Sequence, residues 1–383
     1  MINVAIVGVG NISVWHTEAY LAFPERCRIV ALCDISPEKC NERKAKYSID
    51  GAQIFESHTV MLETMKGKID VVSICTPPYC HANVAVDCLN AGVNVVTEKP
   101  MAASLKECDV MLAAEQSSGK TLACIAQNRF RDEIAALKKV LDSGLIGKVV
   151  HAQIDSLWWR GLHYYDLWWR GTWEKEGGGC TLNHAVHHID MLIWMMGMPE
   201  AVTAVLTNAS HTNAEVEDLS VAVLQYPAGT LATVTSSVVH HGQEQKLIFQ
   251  GEKARISAPW NVYASIAAPN GFPKEERDTA LENKLNEFVA AIPRLPYTVH
   301  KGELENVLTA LEQGKKPDIT GIDGRNTLEL ITAIYKAGTT HTTVKLPITK
   351  DDPFYTVEGI MGAVPHFYEK TASVKDFAGP IST

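Results

Sequence analysis

Ile2-Asn3-Val4-Ala5-Ile6-Val7-Gly8-Val9-Gly10-Asn11-Ile12-Ser13 opens the chain, and its reading decides the fold. A run of branched apolar residues predicts a buried strand, two glycines follow, and residues 15–21 continue as a helix. Glycines at this spacing let the backbone turn tightly and approach a pyrophosphate, whose charge meets the N-terminal amides of the helix. Ser13 stands where a third glycine is usual and is small enough for the helix to pack on the strand. A Gly-x-Gly-x-x-Ser pattern alone carries little information. Here the second strand ends in Asp34, about 20 residues beyond the turn, where a carboxylate accepts hydrogen bonds from a ribose 2'-hydroxyl and repels a 2'-phosphate. The stretch therefore predicts a dinucleotide fold that takes NAD in preference to NADP, with Gly8, Gly10, Asn11, Ile12 and Asp34 at the cofactor. A glycine turn that binds nothing is the plainer alternative, and the context speaks against it.

Outward from this turn, apolar runs at 2–7, 29–33, 71–75, 93–97 and 122–126 alternate with helical stretches, which predicts right-handed crossovers and a parallel sheet. Residues 128–148 read as a connector and helix. Beyond 149, period-two patches at 202–206, 220–226, 231–239 and 246–250 predict a mainly antiparallel open sheet, with helical periods returning at 304–313 and 327–337. The fold class is thus α/β: an N-terminal Rossmann domain over 1–126, an α+β domain over 127–348 that binds substrate and builds oligomers, and a tail over 349–383.

Size and composition agree. A length of 383 residues suits two cores, and 46% hydrophobic with 21% charged residues describes a globular chain. A net charge of -9 gives no attraction to nucleic acid or to an anionic membrane. The N-terminus lacks a basic leader, and no run approaches the roughly 18 apolar residues of a membrane span, so the expected location is the cytoplasm. Nine cysteines without a CxxC pair read as reduced, mostly buried thiols.

Two further strand ends carry unusual residues: Cys75-Thr76-Pro77-Pro78 with His81 nearby, and Thr97-Glu98-Lys99-Pro100. Ligands of open parallel sheets gather at the carboxyl edge of the strands, so Lys99 points at the cofactor crevice, and a proline after it, with a cis bond conceivable, fixes its aim. In the second half, Gly177-Gly178-Gly179 precedes a helix-like run from Thr181 to Met196. Val186, Ile189, Leu192, Ile193 and Met196 share one face, with Asn183, His187 and Asp190 on the other. Asn183 and His187 are one turn apart, so the amide is placed to hold the imidazole, and Asp190 to bias its tautomer from the next turn. His184 and His188 form a second pair one turn apart, but no HExxH and no third ligand accompany them, so no metal is expected. Histidines satisfied by backbone carbonyls are the plainer reading; it does not explain Lys99.

Taken together, Gly8-Val-Gly-Asn-Ile, Thr76-Pro77 with His81, Glu98-Lys99-Pro100, residues 127–130, 144–147 and 177–179, His187 with Asp190, and Gly324-Arg325 resemble the Gfo/Idh/MocA family, named after glucose-fructose oxidoreductase and inositol dehydrogenase. The resemblance covers residues 1 to about 348. It implies an open-sheet second domain that builds homodimers or homotetramers, Lys99 in contact with substrate and cofactor, and His187 as the acid/base. It adds Thr76, Pro77, His81, Glu98, Asn128, Trp169 and Arg170 to the cofactor site, and Arg129, Tyr164, Asn183 and His184 to the substrate site. Many inositol-acting members carry aspartate where this chain has Asn183, a departure that bears on how the histidine is driven.

The chemistry expected is oxidation of a secondary alcohol: His187 takes the hydroxyl proton and Lys99 stabilises the oxygen, or the two exchange roles. Five tryptophans, two tyrosines and two arginines crowd residues 158–173, including Trp158-Trp-Arg-Gly161 and Trp168-Trp-Arg-Gly171. They read as a wall for a sugar ring, or equally as an interface. The substrate expected is a sugar, a glycoside oxidised at a ring carbon such as C3, or a cyclic polyol such as inositol. Two rivals stand beside it: a glycosidase that keeps NAD bound and works through transient oxidation and elimination, and a non-catalytic sugar sensor, against which Lys99 and His187 argue. In the tail, Pro353-Phe-Tyr355 and Phe367-Tyr368 offer aromatic anchors for a neighbouring subunit.

Overall fold

The computed structural model describes residues 1–375. Its first half alternates strand and helix: β1 (Ile2–Val7), α1 (Ser13–Leu21), β2 (Cys27–Cys33), α2 (Pro37–Lys46), β3 (Gln53–Phe55), α3 (His58–Thr64), β4 (Val71–Ile74), α4 (Pro78–Asn90), β5 (Asn94–Thr97), α5 (Leu105–Ser118) and β6 (Leu122–Cys124). All six strands run parallel in the order β3-β2-β1-β4-β5-β6. The order reverses between β1 and β4, which opens a crevice at their carboxyl ends, the usual ligand site of such sheets. The apolar runs appear as strands near their expected places. β3 is an addition: a half-exposed edge strand of three residues is too short to leave a periodic signal.

The second half comprises α6 (Asp132–Asp142), β7 (Val149–Leu157), α7 (Cys180–Asn183), α8 (Val186–Met196), β8 (Ala201–Thr207), β9 (Leu219–Gln225), β10 (Leu231–Ser237), β11 (Gln245–Gly251), β12 (Arg255–Ala258), β13 (Asn261–Tyr263), β14 (Ser265–Ala267), β15 (Pro273–Arg277), α9 (Thr279–Ala290), α10 (Val299–Gln313), α11 (Gly321–Thr340), β16 (Val344–Lys345) and α12 (Val357–Ala363). Eight strands form one sheet, β13-β12-β11-β7-β10-β9-β8-β16. Its neighbours are antiparallel except β7 and β10, which pair in parallel because the chain leaves and returns through the helices between them. Burial alternates along β8 and β9. One face packs under α8 and α11, and the other leaves Val205, Val221 and Val223 in the open.

Chain order and packing diverge at α10. Leu304, Val307 and Leu308 bury themselves with Val4, Ile6 and Val71, so a helix from beyond the second sheet covers the first sheet. The late helices are also longer than their apolar periods, and α11 begins at Gly321 because Thr320 and Asp323 form a capping box. In the described part of the tail, Phe354 and Tyr355 are taken up by this chain's own core, where the Tyr355 hydroxyl donates to Asp109 at 2.6 Å, whereas Tyr368 is exposed. Residues 376–383 lie outside the described residues. No helix among those described is long and apolar enough to cross a membrane.

Candidate active site

The glycine turn after β1 is fixed by close backbone packing. Gly8 has φ +87°, and a Cβ there would lie 2.7 Å from the Cys75 carbonyl and the Thr76 nitrogen. A side chain at Gly10 would meet no atom within 4 Å, so the turn opens to the crevice on that side. Asn11 is exposed and Ile12 caps α1. The Asp34 carboxylate accepts from Val9 N at 2.6 Å and from Ser36 N at 2.9 Å, which seats it beside the turn with lone pairs to spare. Ser13 in the third-glycine place donates to the Gly10 carbonyl at 2.7 Å and accepts from Arg43 of α2 at 2.8 Å. Thr76 and Pro77 lead into α4, and the buried Thr76 hydroxyl has no partner among the described residues. An open glycine, a seated carboxylate and an orphaned hydroxyl on one sheet edge fit a dinucleotide.

His81 sits beneath this edge and not in the crevice. It is fully buried, with its ring nitrogens 2.9 Å from the Pro100 carbonyl and 2.7 Å from the Thr76 carbonyl, so it ties the two strand ends together. Glu98 is likewise internal. Its Oε1 accepts from Nε2 of His16 at 2.9 Å and lies 3.3 Å from Nε2 of His300, and its Oε2 accepts the Lys99 amide at 3.1 Å. Burial alone would raise this carboxyl, but the two histidines hold it well below its ordinary range. His16 continues through Ser73 at 3.1 Å to the Tyr20 hydroxyl. The His16, Glu98 and His300 ligand atoms fall within 4.8 Å of one another, yet both imidazoles aim at one carboxylate oxygen, the geometry of a hydrogen-bonded brace. Neither histidine was marked by any motif, and α10 brings His300 here from the far end of the chain.

Above this brace Lys99, its bond to Pro100 cis, and His187 line one cavity with Ala126, Asp190, Gly324 and Thr327. No internal hydrogen bond among the described residues engages the Lys99 ammonium or the His187 ring. Burial lowers the pKa of Lys99, opposed by the charge of Glu98 and reinforced by Arg170. Burial and the Lys99 charge push His187 well below its ordinary value, so the ring is neutral at neutral pH.

The helix carrying His187 differs from expectation. It breaks at His184-Ala185 into α7 and α8, and the Asn183 amide donates to the Gly178 and Gly179 carbonyls at 3.0 and 3.3 Å, not to His187. The glycine turn claims the amide because it presses against Glu217: a Cβ on Gly179 would lie 1.8 Å from the Glu217 carbonyl, and the Glu217 carboxylate takes the amides of Gly179 and Thr181. Asp190 does not orient His187 either. It accepts two bonds from Arg129, at 2.9 and 2.6 Å, and Arg129 also donates to Asp323 at 3.0 Å. Arg129, expected at the substrate, is thus a buried strut, since a guanidinium in the interior requires paired carboxylates. Asn128 beside it accepts from Arg131 at 2.9 Å.

The aromatic segment closes the other side. Tyr164 lies 3.4 Å from Nε2 of His184, and the Arg170 guanidinium, bonded to the Tyr164 hydroxyl, lies over the rings of Tyr164 and Trp169 at 4.2 and 4.6 Å. Glu176, also unmarked in sequence, stands 3.6 Å from Arg170 and accepts the Gly171 amide; burial pushes it up to about 7.

The model described as "Oxidoreductase family, NAD-binding Rossmann fold" matches residues 2–125, and the GFO/IDH/MocA C-terminal domain matches residues 134–257. Myo-inositol 2-dehydrogenase of Thermotoga maritima is 25% identical over 90% of this chain and 98% of its own. The 2,7-anhydro-N-acetylneuraminate hydratase of Mediterraneibacter gnavus is 29% identical, over 51% of this chain and 53% of that protein. Among solved structures, the WlbA dehydrogenase of Bordetella pertussis, in complex with NADH and UDP-GlcNAcA, superposes with a TM-score of 0.76 at 28% identity, covering 91% of this chain and 99% of that one.

Proposed function

The chain belongs to the GFO/IDH/MocA oxidoreductase family, and on that premise we propose that it is an NAD-dependent dehydrogenase oxidising a secondary hydroxyl of a sugar, a glycoside or a cyclic polyol such as inositol. What carries this is that Lys99, just past the carboxyl end of β5 where ligands of such sheets bind, lines one small cavity with His187, and that no hydrogen bond among the described residues engages either side chain. Bound NAD supplies the hydride acceptor. The neutral His187 ring accepts the hydroxyl proton, and the Lys99 ammonium donates a hydrogen bond to the same oxygen as negative charge develops on it. The Glu98 brace holds the Lys99 backbone from below. Asp34, at the ribose end of the turn, favours NAD over NADP by repelling a 2'-phosphate. The exposed apolar strip of Val205, Val221 and Val223 supports a homodimer or homotetramer joined through the open sheet.

The test is NAD reduction, followed by nicotinamide absorbance, across glucosides, free hexoses, pentoses and inositols, with NADP in parallel. Reduction by one class is expected. Lys99→Met and His187→Asn are each expected to cut turnover by about a hundredfold or more while NAD still binds; normal turnover in both overturns the assignment. The likeness to a hydratase favours one second reading, a transient oxidation that leads to elimination with NAD retained. Glycoside cleavage without net NADH, by protein purified with stoichiometric NAD, would select it.

A further inference from the structure

We propose that the sugar entering this site is acidic, its anionic group seated between Arg160 and Arg170. The proposal rests on the dehydrogenase reading for the chemistry, but concerns only what binds. The chain is acidic overall, with a net charge of -9, yet two guanidinium groups, those of Arg160 and Arg170, gather at the one ring of Tyr164.

Arg160 is rigidly presented. Its amide donates to the Val238 carbonyl at 2.8 Å, and its carbonyl lies 3.1 Å from Nε2 of His211. The side chain donates to the Trp159 carbonyl at 2.7 Å and to Gln243 at 3.2 Å, and its guanidinium lies 5.2 and 5.5 Å from the Trp158 and Tyr164 ring centroids. No carboxylate among the described residues forms an ion pair with it.

Arg170 approaches the same tyrosine, and its Nε is buried without a partner among the described residues. Its one acidic neighbour, Glu176, is 3.6 Å away and drawn toward the Gly171 amide. His184 lies between, its buried Nδ1 also unpartnered, under the combined charge of Arg160, Arg170 and Lys99. The other carboxylates near the cleft are spent: Glu98 on His16, His300 and the Lys99 amide, Asp190 on Arg129, Glu217 on the glycine turn. Arg160 therefore has no carboxylate partner among the described residues, and Arg170 shares its one acidic neighbour, Glu176, with the Gly171 amide, while Glu98 stays with Lys99. Burying unmatched charge is costly, and an anionic ligand relieves it. Guanidinium groups backed by aromatic faces present planar donor pairs that match carboxylate or phosphate.

The NADH-loaded protein is titrated with a hexuronate, a hexose 6-phosphate and the parent hexose, and binding is followed by tryptophan fluorescence. At least one acid sugar is expected to bind about tenfold or more tightly than the hexose, by a margin that narrows with added salt. In Arg160→Met the ratio should fall toward one, and Arg160→Lys should keep part of it. Which acid binds more tightly identifies the anion as carboxylate or phosphate. Equal binding of all three sugars overturns the proposal, as does an Arg160→Met that weakens NADH and leaves the ratio intact. If Arg160→Met fails to fold, the ratio and salt dependence of the unaltered protein decide. Preference for acid sugars with no NAD reduction would keep this inference and reject the dehydrogenase.

Discussion

Residues 8–13 and residues 158–176 are held in opposite ways. The glycine turn is fixed by contacts within the first sheet: Gly8 against Cys75, Val9 on Asp34, Ser13 on Gly10. The aromatic segment borrows its shape from afar. Trp168 and Asp166 exchange backbone bonds with Val374 at 2.9 and 2.7 Å, Trp173 donates to the Pro365 carbonyl at 3.0 Å, and Lys370 donates to the Tyr165 carbonyl. Asn213 joins the two, accepting from Thr371 and Ala372 while donating to Asp166. The glycine turn is thus held by local sterics, whereas the aromatic segment depends on a strap from residues 365–374.

The sharpest way to break this contrast is Gly8→Ala. A Cβ at 2.7 Å from backbone, on a residue with φ +87°, has no room to relax, so NAD binding measured by calorimetry should weaken by about a hundredfold or more. Normal binding would mean that the turn is not locally fixed. Next in size is Asn213→Ala, which frees the strap: the KM for sugar should rise about tenfold while NAD affinity stays level, and an equal loss for NAD would show that the strap supports the whole cleft.

The smallest effect at neutral pH is expected from Glu176→Gln. The folded carboxyl, raised to about 7, holds its proton where the unfolded one, near 4.5, has lost it. Stability therefore falls as pH rises from about 4.5 to 7. In urea unfolding at several pH values, Glu176→Gln should flatten that decline; an unchanged slope would place the titration elsewhere.

How much was legible follows the same division. The strand and helix alternation, the crevice, and the position of Lys99 just past the end of β5 could be read because each leaves a mark within a few residues. β3 could not, being three residues at an edge. The break between α7 and α8 was hidden because Thr181 to Met196 has an unbroken helical period; only the press of Gly179 against Glu217 turns Asn183 away from His187. His16 and His300 had no motif, since their meeting at Glu98 depends on where α10 packs.

The sequence by itself determined the glycine turn, the acid at the end of β2, and a lysine just past the end of β5, because steric limits at a turn and the alternation of strand and helix act over short stretches of chain. Only the tertiary structure decided which charges remain available. Arg129 and Arg160 look alike in sequence, but the fold sets two aspartates on the first and none on the second. The cost of a buried charge depends on what packs against it, and that is settled between distant segments.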